Sequence, residues 1–249
     1  MATKKIPAGT LEICTDHTGK MEGINSLSTS VKLNPNCQKN QKIRGTICAK
    51  CYAENMTDMY AGLSERLVRN TEILTKPLTP EQIPVITDEI FRFESFGDLN
   101  NEIQLDNYVR IARANPGTRF TLWTKMYLVA YHYFSEHDVP ENFTLILSSL
   151  MINTKLNLDS FKKLGKFKKG QLKVFTVYDL KYIKKHWEEL NINCGSRLCA
   201  GCRQCYDKND VEEINEILKS DQPAALKFLG TKKDPGYVSK LLMDAFLED

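Results

Sequence analysis

The chain has 249 residues, of which 42% are hydrophobic and 26% are charged, and its formal net charge is +3. This composition is close to the average for globular proteins, so it excludes a collagen, a coiled coil and a disordered tail protein. A chain of this length can bury one substantial α/β core, and its eight cysteines are too sparse for a disulfide-stapled scaffold.

The sequence carries no targeting or membrane signal. Residues 1–14 contain lysines but lack the apolar stretch of a secretory signal. The most apolar run, Phe143–Ile152, is too short to cross a bilayer and contains two serines. We therefore expect a cytoplasmic protein, in which closely spaced cysteines more often bind a metal than form disulfides.

The first predicted element is a strand over Ser26–Leu33, and a loop with three cysteines follows it. Cys37, Cys48 and Cys51 are separated by ten and two residues. Three thiolates on a four-iron cluster leave one iron open, just as catalytic zinc sites keep an open position. Two alternatives remain. Cys14 or another side chain completes the ligand set, or the cysteines are buried and bind no metal.

Predicted helices and strands alternate along the chain after this loop. The helical segments have apolar residues at helical spacing, and the strands are short, apolar and followed by polar turns. In chain order they are helix 59–74, strand 89–94, helix 103–114, strand 119–124, helix 126–136, strand 143–147, helix 158–163, strand 172–177 and helix 180–190, with a weaker sixth strand at Leu226–Leu229.

This alternation predicts a parallel sheet with right-handed crossovers. Five or six units in a chain of this length fit an α/β fold of the partial (β/α)5-6 barrel type. We expect a single domain over 1–249, with a barrel core over 23–190, a cysteine loop over 34–55 and a cysteine-rich extension over 191–249.

Polar segments directly follow several predicted strands. Ligands of parallel β/α folds bind at the carboxyl ends of the strands. We therefore expect the segments to meet at one edge of the sheet: the cysteine loop, Ser95–Asp98, Thr124–Lys125, Ser148–Ser149 and Tyr178–Asp179. Any one of them taken alone is also compatible with ordinary turn chemistry.

A basic segment extends from Lys155 to Lys185, with ten lysines and two aspartates. Lysines interleaved with aromatic residues can follow a phosphate backbone. We favour the alternative of a solvated surface, in which Phe161, Leu164 and Phe167 face the core and the lysine side chains extend outward.

The last four cysteines, Cys194, Cys199, Cys202 and Cys205, fall within twelve residues. Three of them recur at every third position, which suits a [4Fe-4S] cluster because the cube takes one cysteine per iron. Structural zinc draws on two separated pairs of ligands and fits this spacing less well. Zinc and free thiols remain the alternatives.

Several short motifs resemble those of radical S-adenosylmethionine (SAM) proteins, and more narrowly those of the phage gene product eighty-eight family. They are N-P-N-C, I-C-A-K-C-Y-A, S-F-G-D, F-T-L-W-T-K and the terminal C-x2-C-x2-C-Y, and they span roughly residues 23–206. The resemblance implies a radical SAM-like barrel in a phage protein of the bacterial host cytoplasm. It also implies an enzyme that reductively cleaves SAM and receives electrons from a flavodoxin or ferredoxin.

The resemblance also implies roles for individual residues. It assigns Cys37, Cys48 and Cys51 to an open [4Fe-4S] cluster and the four C-terminal cysteines to an auxiliary one. The implied SAM contacts are Tyr52 at the adenine or cluster, Ser95, Gly97 and Asp98 in the turn that receives the methionyl amino group, Lys125 at the carboxylate and Ser148 at a ribose hydroxyl.

One spacing departs from the resemblance, since radical SAM proteins usually have three residues between the first two cysteines and this chain has ten. Residues 38–47 must then be looped out for a cluster to form. A second hypothesis is a non-catalytic iron–sulfur or zinc protein that binds nucleic acid or a host protein through the basic segment. The sequence does not indicate the substrate.

Overall fold

The computed structural model describes residues 9–233 and 235–242. The first eight residues, which belong to the segment tested for a secretory signal, lie outside the described residues, as do residue 234 and residues 243–249 of the predicted extension. Within the described part of the chain, no helix has both the length and the apolar character needed to cross a bilayer.

A six-stranded sheet forms the centre of the fold. All neighbouring strands are parallel, and they follow one another in chain order across the sheet. An unreversed order places every crossover on the same face of a curved sheet. The strands are β1 (Ser26–Leu27), β2 (Ile90–Phe93), β3 (Arg119–Thr124), β4 (Phe143–Ser148), β5 (Leu172–Tyr178) and β6 (Glu213–Ile217).

The sheet is open, because β1 and β6 are not paired with each other in the described residues. The outer edge of β1 forms only a single antiparallel bridge, between Ser26 and Cys14, and β6 forms one parallel bridge, between Glu216 and Cys194. The fold is therefore a mixed α/β structure with an all-parallel sheet that does not close into a full barrel, consistent with a partial barrel.

Ten α-helices are present in the described residues. Side-chain caps explain where several begin: Asn34, Asn101 and Asp179 accept hydrogen bonds from the first-turn amides of the helices that follow them. The helices are α1 (Pro35–Gln41), α2 (Tyr52–Met59), α3 (Ala61–Leu74), α4 (Glu102–Ala114), α5 (Tyr127–Glu136), α6 (Asp159–Lys163), α7 (Leu180–His186), α8 (Cys199–Cys202), α9 (Gln222–Lys232) and α10 (Pro235–Leu242).

Four of the predicted strands, those that became β2 to β5, are confirmed to within one or two residues. The first strand is shorter than predicted, because after Leu27 the backbone amides of Thr29 and Ser30 donate to the side chains of Glu94 and Thr71 instead of a ladder. The helix predicted over 59–74 corresponds to α3, which begins at Ala61 after the extended residue Tyr60. The separate helix α2, which ends at Met59, was not predicted.

The prediction of a sixth strand at Leu226–Leu229 is wrong. This segment lies within α9, where Ala225 and Leu229 are one helical turn apart and face a small apolar core. The sixth strand is β6, in which Ile214 and Ile217 are buried. Three of the five residues of β6 are polar, so this strand does not have the apolar run by which strands were predicted.

The helices α3 to α6 cover one face of the sheet with the main hydrophobic core. Phe91, Phe93 and Phe120 from the strands pack there with Tyr108 from α4 and Phe134 from α5. Burying aromatic side chains of this size is the largest single contribution that such a layer makes to stability.

The other face of the sheet is covered by segments that do not belong to the helices α3 to α6. A second apolar cluster joins Ile90, Trp123 and Ile146 of the strands to Ile24 near the N-terminus and Tyr206 in the cysteine-rich extension. The cysteine-rich part of the extension therefore covers the concave face of the open sheet, whereas α9 and α10 pack with α7 in the smaller apolar core.

Candidate functional site

Cys37 lies in the first turn of α1, directly after the segment that leaves β1. The N-terminus of α1 is fixed by Asn34, whose side chain accepts hydrogen bonds from the amides of Asn36 and Cys37 at 3.0 and 3.2 Å. The amide group of Asn34 also donates to the carbonyls of Asp98 and Leu99, both at 3.0 Å. The N-P-N-C motif thus ties Cys37 to the turn after β2.

Cys48 and Cys51 belong to a short 3-10 helix, Ile47–Lys50, and its C-cap. Thr46 caps this helix by accepting from the amide of Ala49 at 3.1 Å. The amide of Ile47 donates to the carbonyl of Leu150 at 2.9 Å. These contacts anchor the second and third cysteines to the segment after β4.

The ten residues between Cys37 and Cys48 are folded and are not an extended loop. They continue α1 to Gln41, turn, and return to the sheet through backbone pairing of Thr46 with Met151. The longer spacing is therefore taken up by one helix and one turn, and it leaves the three cysteines at the same carboxyl edge of the sheet.

The thiols of this group lie within electrostatic reach of each other. Burial raises the pKa of Cys37, and the nearby Asp98 carboxylate raises it further, whereas Lys125 lowers it. Burial also raises the pKa of Cys48, and Lys125 again opposes this effect. Thiols with raised pKa values are protonated at neutral pH, so binding a metal here would release protons.

No group of three or more Cys, His, Asp or Glu side chains in the described residues is arranged to hold a metal ion. A tetrahedral zinc ion with sulfur ligands at about 2.3 Å requires thiolates about 3.8 Å apart. A four-iron cube binds each thiolate through a different iron, so its ligands are spread more widely.

Asp98 is buried at the end of the turn after β2. Its Oδ1 accepts hydrogen bonds from the Thr124 hydroxyl at 2.6 Å and the Leu99 amide at 2.8 Å, and its Oδ2 accepts from the Lys125 amide at 3.0 Å. A carboxylate has about four acceptor positions, so Oδ2 keeps capacity for one further donor. The ends of β2 and β3 thus share this carboxylate.

Gly97 allows this turn to pack closely. A Cβ atom at this position would lie 2.5 Å from the backbone oxygen of Thr29 and 2.6 Å from Oε2 of Glu94. The S-F-G-D motif therefore requires glycine for close approach of the two backbone segments.

The other residues with implied SAM contacts lie along the same edge. Tyr52 is 57% exposed, and its hydroxyl donates to the carbonyl of Ser95. The hydroxyl of Ser95 is itself within 2.9 Å of the Ser26 and Ser28 hydroxyls. The carbonyl of Ser148 accepts from a tyrosine hydroxyl, that of Tyr127, at 2.5 Å. Ser95 thus already has partners within the protein.

A buried carboxylate, Glu94, lies under the turn and is not identifiable from the sequence as a site residue. It accepts hydrogen bonds from the Thr29 amide and hydroxyl, the side-chain amide of Gln104 and the Tyr108 hydroxyl. Burial raises its pKa to about 7, with a smaller contribution from the nearby Asp98. Glu94 also has a positive φ of 58°, so this residue bends the chain at the end of β2.

The C-terminal cysteine group lies against the concave face of the sheet. Cys194, Cys199 and Cys205 pack against the apolar cluster around Tyr206, whose side chain is only 1% exposed. Burial raises the pKa of each of these three thiols. These three cysteines are partly buried and line the border of the apolar cluster.

Two lysine side chains form contacts at the two ends of the C-terminal cysteine group. The ammonium of Lys173, on β5, is fully buried and donates to the carbonyls of Gln204 and Asp207. The ammonium of Lys20 lies 3.7 Å from the sulfur of Cys194 and forms an ion pair with Glu216 of β6. Lys20 therefore links the N-terminal segment to the far edge of the open sheet.

Arg92 lies between the two cysteine groups. Its guanidinium carbon is 4.0 Å from the centre of the Trp123 ring, and its Nε is buried without a hydrogen-bond partner in the described residues. Burial opposes the charge of Arg92, yet its pKa is raised because phenol and thiol groups face it, those of Tyr206, Tyr52, Cys199 and Cys205. A buried cation without a carboxylate partner is available to an anionic group.

Cys14 lies apart from both groups. It is buried, exchanges backbone hydrogen bonds with Ser26, and its pKa is raised chiefly by burial. His17 donates to or accepts from the Ser26 hydroxyl at 2.7 Å and stacks on Phe96 with ring centroids 5.5 Å apart. The Cys14 thiol also contacts Arg66, and the Ser26 side chain is a partner of both Cys14 and His17.

Half of the lysines in the basic segment are paired with carboxylates. Phe161 is buried, and Leu164 and Phe167 pack against the main core. Five of the ten lysines form ion pairs: Lys155 with Glu213, Lys162 with Glu212, Lys166 with Asp138, Lys168 with Glu141 and Lys169 with Asp210. This arrangement fits a solvated surface better than a continuous track for a phosphate backbone.

Comparison with known proteins gives one family. The family model described as gene product 88 matches residues 3–208, which include all eight cysteines and both cysteine groups. No curated protein and no solved structure matches the chain.

Proposed function

The chain belongs to the gene product 88 family, and we propose that it is an iron–sulfur enzyme of the radical SAM type with two [4Fe-4S] clusters. One observation carries the proposal. Three cysteines from one loop lie at the carboxyl edge of an all-parallel sheet, and two of them, Cys37 and Cys48, lie within electrostatic reach of Asp98 and Lys125. This edge is where parallel β/α folds bind their ligands.

The chemistry of the N-terminal donor set fits an open cluster. Cys37, Cys48 and Cys51 would hold three irons, and the fourth iron would stay open. The three thiols are partly exposed, so a small molecule can approach them. When bound, the cluster supplies one-electron reductive cleavage of SAM, which is chemistry that protein side chains lack.

The residues around this group would bind and orient SAM. Oδ2 of Asp98 has room for one more donor, which suits the methionyl ammonium. The side chain of Lys125 has no ion-pair partner in residues 9–233 and 235–242 and suits the carboxylate. Tyr52 and Phe96, whose ring centroids are 6.3 Å apart, would form an aromatic wall for the adenine.

The C-terminal group fits a closed cluster. Its four cysteines supply one ligand for each iron, and three of them, Cys194, Cys199 and Cys205, pack against the apolar cluster on the concave face. Arg92 would offset the negative charge of this cluster, since its guanidinium lacks a carboxylate partner among the described residues. The role of this cluster would be to carry electrons or to hold the extension on the sheet.

The direct test is formation of 5′-deoxyadenosine by protein reconstituted with iron and sulfide under anaerobic conditions. Reduced wild-type protein should form it from SAM, as measured by chromatography. Lys125→Gln should raise the SAM concentration needed for half-maximal rate about tenfold, because it removes a charge-assisted contact. The matched control is Lys169→Gln, an exposed lysine outside the site, and it should behave as wild type.

Absence of 5′-deoxyadenosine from protein that contains both clusters would contradict the SAM chemistry. A metal content of zinc alone, in protein purified without oxygen, would contradict the clusters themselves. Reduced flavodoxin or ferredoxin should replace the chemical reductant in the same assay.

A further inference from the structure

A cleft of about 680 Å³ opens beside the N-terminal cysteine group. One wall is the cysteine loop, through Thr46, Ala49 and Lys50, and the opposite wall is the start of α7, through Lys181 and Lys184. Ala49 and Lys50 are the two residues between Cys48 and Cys51. None of the six residues with implied SAM contacts lines this cleft, so it is a separate space next to the same loop.

Three lysines and two aspartates line the cleft, so its formal charge is positive. The ammonium groups of Lys50, Lys181 and Lys184 are exposed, and in the part of the chain that the structure describes none of them forms an ion pair. Lys184 has only a ring contact, 5.9 Å from the centre of Phe228. Unpaired lysines gathered around a concave surface attract anions more strongly than the same lysines on a flat surface.

The two carboxylates in the cleft are already engaged. Asp179 accepts hydrogen bonds from the Tyr182 amide at 2.7 Å and the Asn153 side chain at 3.0 Å. Asp221 accepts from the Leu180 amide at 2.8 Å. Their oxygens are directed to the start of α7, whereas the lysine ammonium groups keep all their donors for a ligand.

A second cleft on the same basic segment provides a contrast. It has a volume of about 360 Å³ and is lined by Lys155 and Lys162. Both lysines form ion pairs there, with Glu213 and Glu212. The protein neutralises its lysines in this cleft and leaves them unpaired in the larger one.

The size of the larger cleft favours a small ligand. Pockets for small molecules typically have volumes of about 300–1,000 Å³. A nucleic acid strand would need positive charge that continues along the surface, but five of the eight other lysines of the basic segment are paired with carboxylates.

We propose that this cleft binds a small phosphate-bearing molecule of nucleotide size, and that this molecule is the substrate. The first part rests on the cleft alone. The second part rests on the proposed function, because the cysteine loop that forms one wall would hold the open cluster beside the bound ligand.

The test is calorimetric titration of the full-length protein with inorganic pyrophosphate at constant ionic strength. Wild-type protein should bind one pyrophosphate per chain with saturation. The double variant Lys181→Gln/Lys184→Gln should bind at least about tenfold more weakly, since two charged donors are removed. The matched control, Lys155→Gln/Lys162→Gln, removes the same charge from the second cleft and should stay within about twofold of wild type.

Three results would overturn the proposal. They are the absence of saturable binding to wild type, an equal loss in both double variants, and tighter binding of a twelve-nucleotide single strand that both double variants weaken alike. Circular dichroism of each variant verifies that it is folded.

Iron content separates this proposal from the proposed function. Wild-type protein that binds pyrophosphate but takes up no iron–sulfur cluster would support the anion site and contradict the enzyme. Protein with both clusters and SAM cleavage but no pyrophosphate binding would support the enzyme and contradict the anion site.

Discussion

The two cysteine groups differ in what surrounds them. The N-terminal group lies on caps and turns at the carboxyl edge of the sheet, next to Asp98 and Lys125. The C-terminal group packs into the apolar cluster on the concave face, where Tyr206 is buried. Three thiols next to a carboxylate and a lysine suit an open site, whereas four thiols, three of which pack against an apolar cluster, suit a closed one. The setting of the cysteines is therefore as informative as their number.

Substitutions of the cysteines themselves should have the largest effects on the two groups. Cys48→Ala should remove about half of the iron and all SAM cleavage, because each cluster depends on its own ligands. Cys202→Ala should also remove about half of the iron, but from the closed site. The control is Cys14→Ala, which lies in neither group and should keep the full iron content, as measured by iron analysis of reconstituted protein.

Substitutions of two glycines should affect the two cysteine groups independently. A Cβ at Gly97 would clash with Thr29 and Glu94, and a Cβ at Gly195 would lie 2.5 Å from the carbonyl oxygen of Leu241 in α10. Replacing either glycine by alanine should reduce the free energy of unfolding by about 1–3 kcal/mol. Gly97→Ala should impair the N-terminal cluster, and Gly195→Ala the C-terminal one.

Urea denaturation measures the change in the free energy of unfolding for both glycine variants. The control is Gly62→Ala. Gly62 lies in α3 with no atom within 4 Å of the added Cβ, so alanine should stabilise the helix by up to about 1 kcal/mol. Equal iron loss from both groups in either glycine variant would mean that the groups are not independent.

Arg92 tests whether the concave site holds an anionic cluster. Arg92→Gln removes the cation that faces Cys199 and Cys205, so the C-terminal cluster should become harder to reduce. The expected shift in its reduction potential is on the order of 50 mV to more negative values. Arg92→Lys keeps the charge and should restore most of the potential, as measured by EPR-monitored redox titration. A potential unchanged in both variants would remove Arg92 from this role.

The smallest expected effect is that of Glu94 on the pH dependence of the free energy of unfolding. Its pKa in the folded protein is about 7, above the value near 4.3 expected in the unfolded chain. The folded state therefore binds more protons between these two values, so the contribution of Glu94 to stability falls as pH rises through this window.

The loss between pH 5 and 8 should be about 1–3 kcal/mol. Its hydrogen-bond partners Thr29, Gln104 and Tyr108 do not titrate in this range, and the nearby charged group is Asp98. Glu94→Gln should flatten the pH dependence of the unfolding free energy even if it lowers stability overall. An unchanged slope in the variant would show that another group titrates.

Parts of this arrangement follow from the sequence. Spacing identified both cysteine groups, and the alternation of strands and helices predicted β2 to β5 and the parallel sheet. The sixth strand was misplaced because β6 contains three polar residues, whereas the apolar residues at Leu226–Leu229 belong to a helix face. Apolar runs indicate burial, but they do not distinguish a short strand from a buried helix turn.

The burial of the charged side chains that lie near the cysteine groups in space could not be predicted from the sequence. Arg92 and Lys173 occupy alternate positions of strands and have the pattern of solvent-facing side chains. In the fold, the extension covers that face, so Lys173 is fully buried and its partners are carbonyls more than thirty residues away. Such contacts depend on long-range packing, which local sequence patterns do not encode.

The most direct test of the central claim is an EPR comparison of two complementary variants. Cys199→Ala/Cys202→Ala keeps only the N-terminal group, and Cys37→Ala/Cys48→Ala keeps only the C-terminal group. After anaerobic reconstitution and reduction, both should show a [4Fe-4S] signal, and SAM should change only the spectrum of the variant that keeps the N-terminal group. An unchanged spectrum in that variant, or the same change in both variants, would contradict the assignment of one open and one closed cluster.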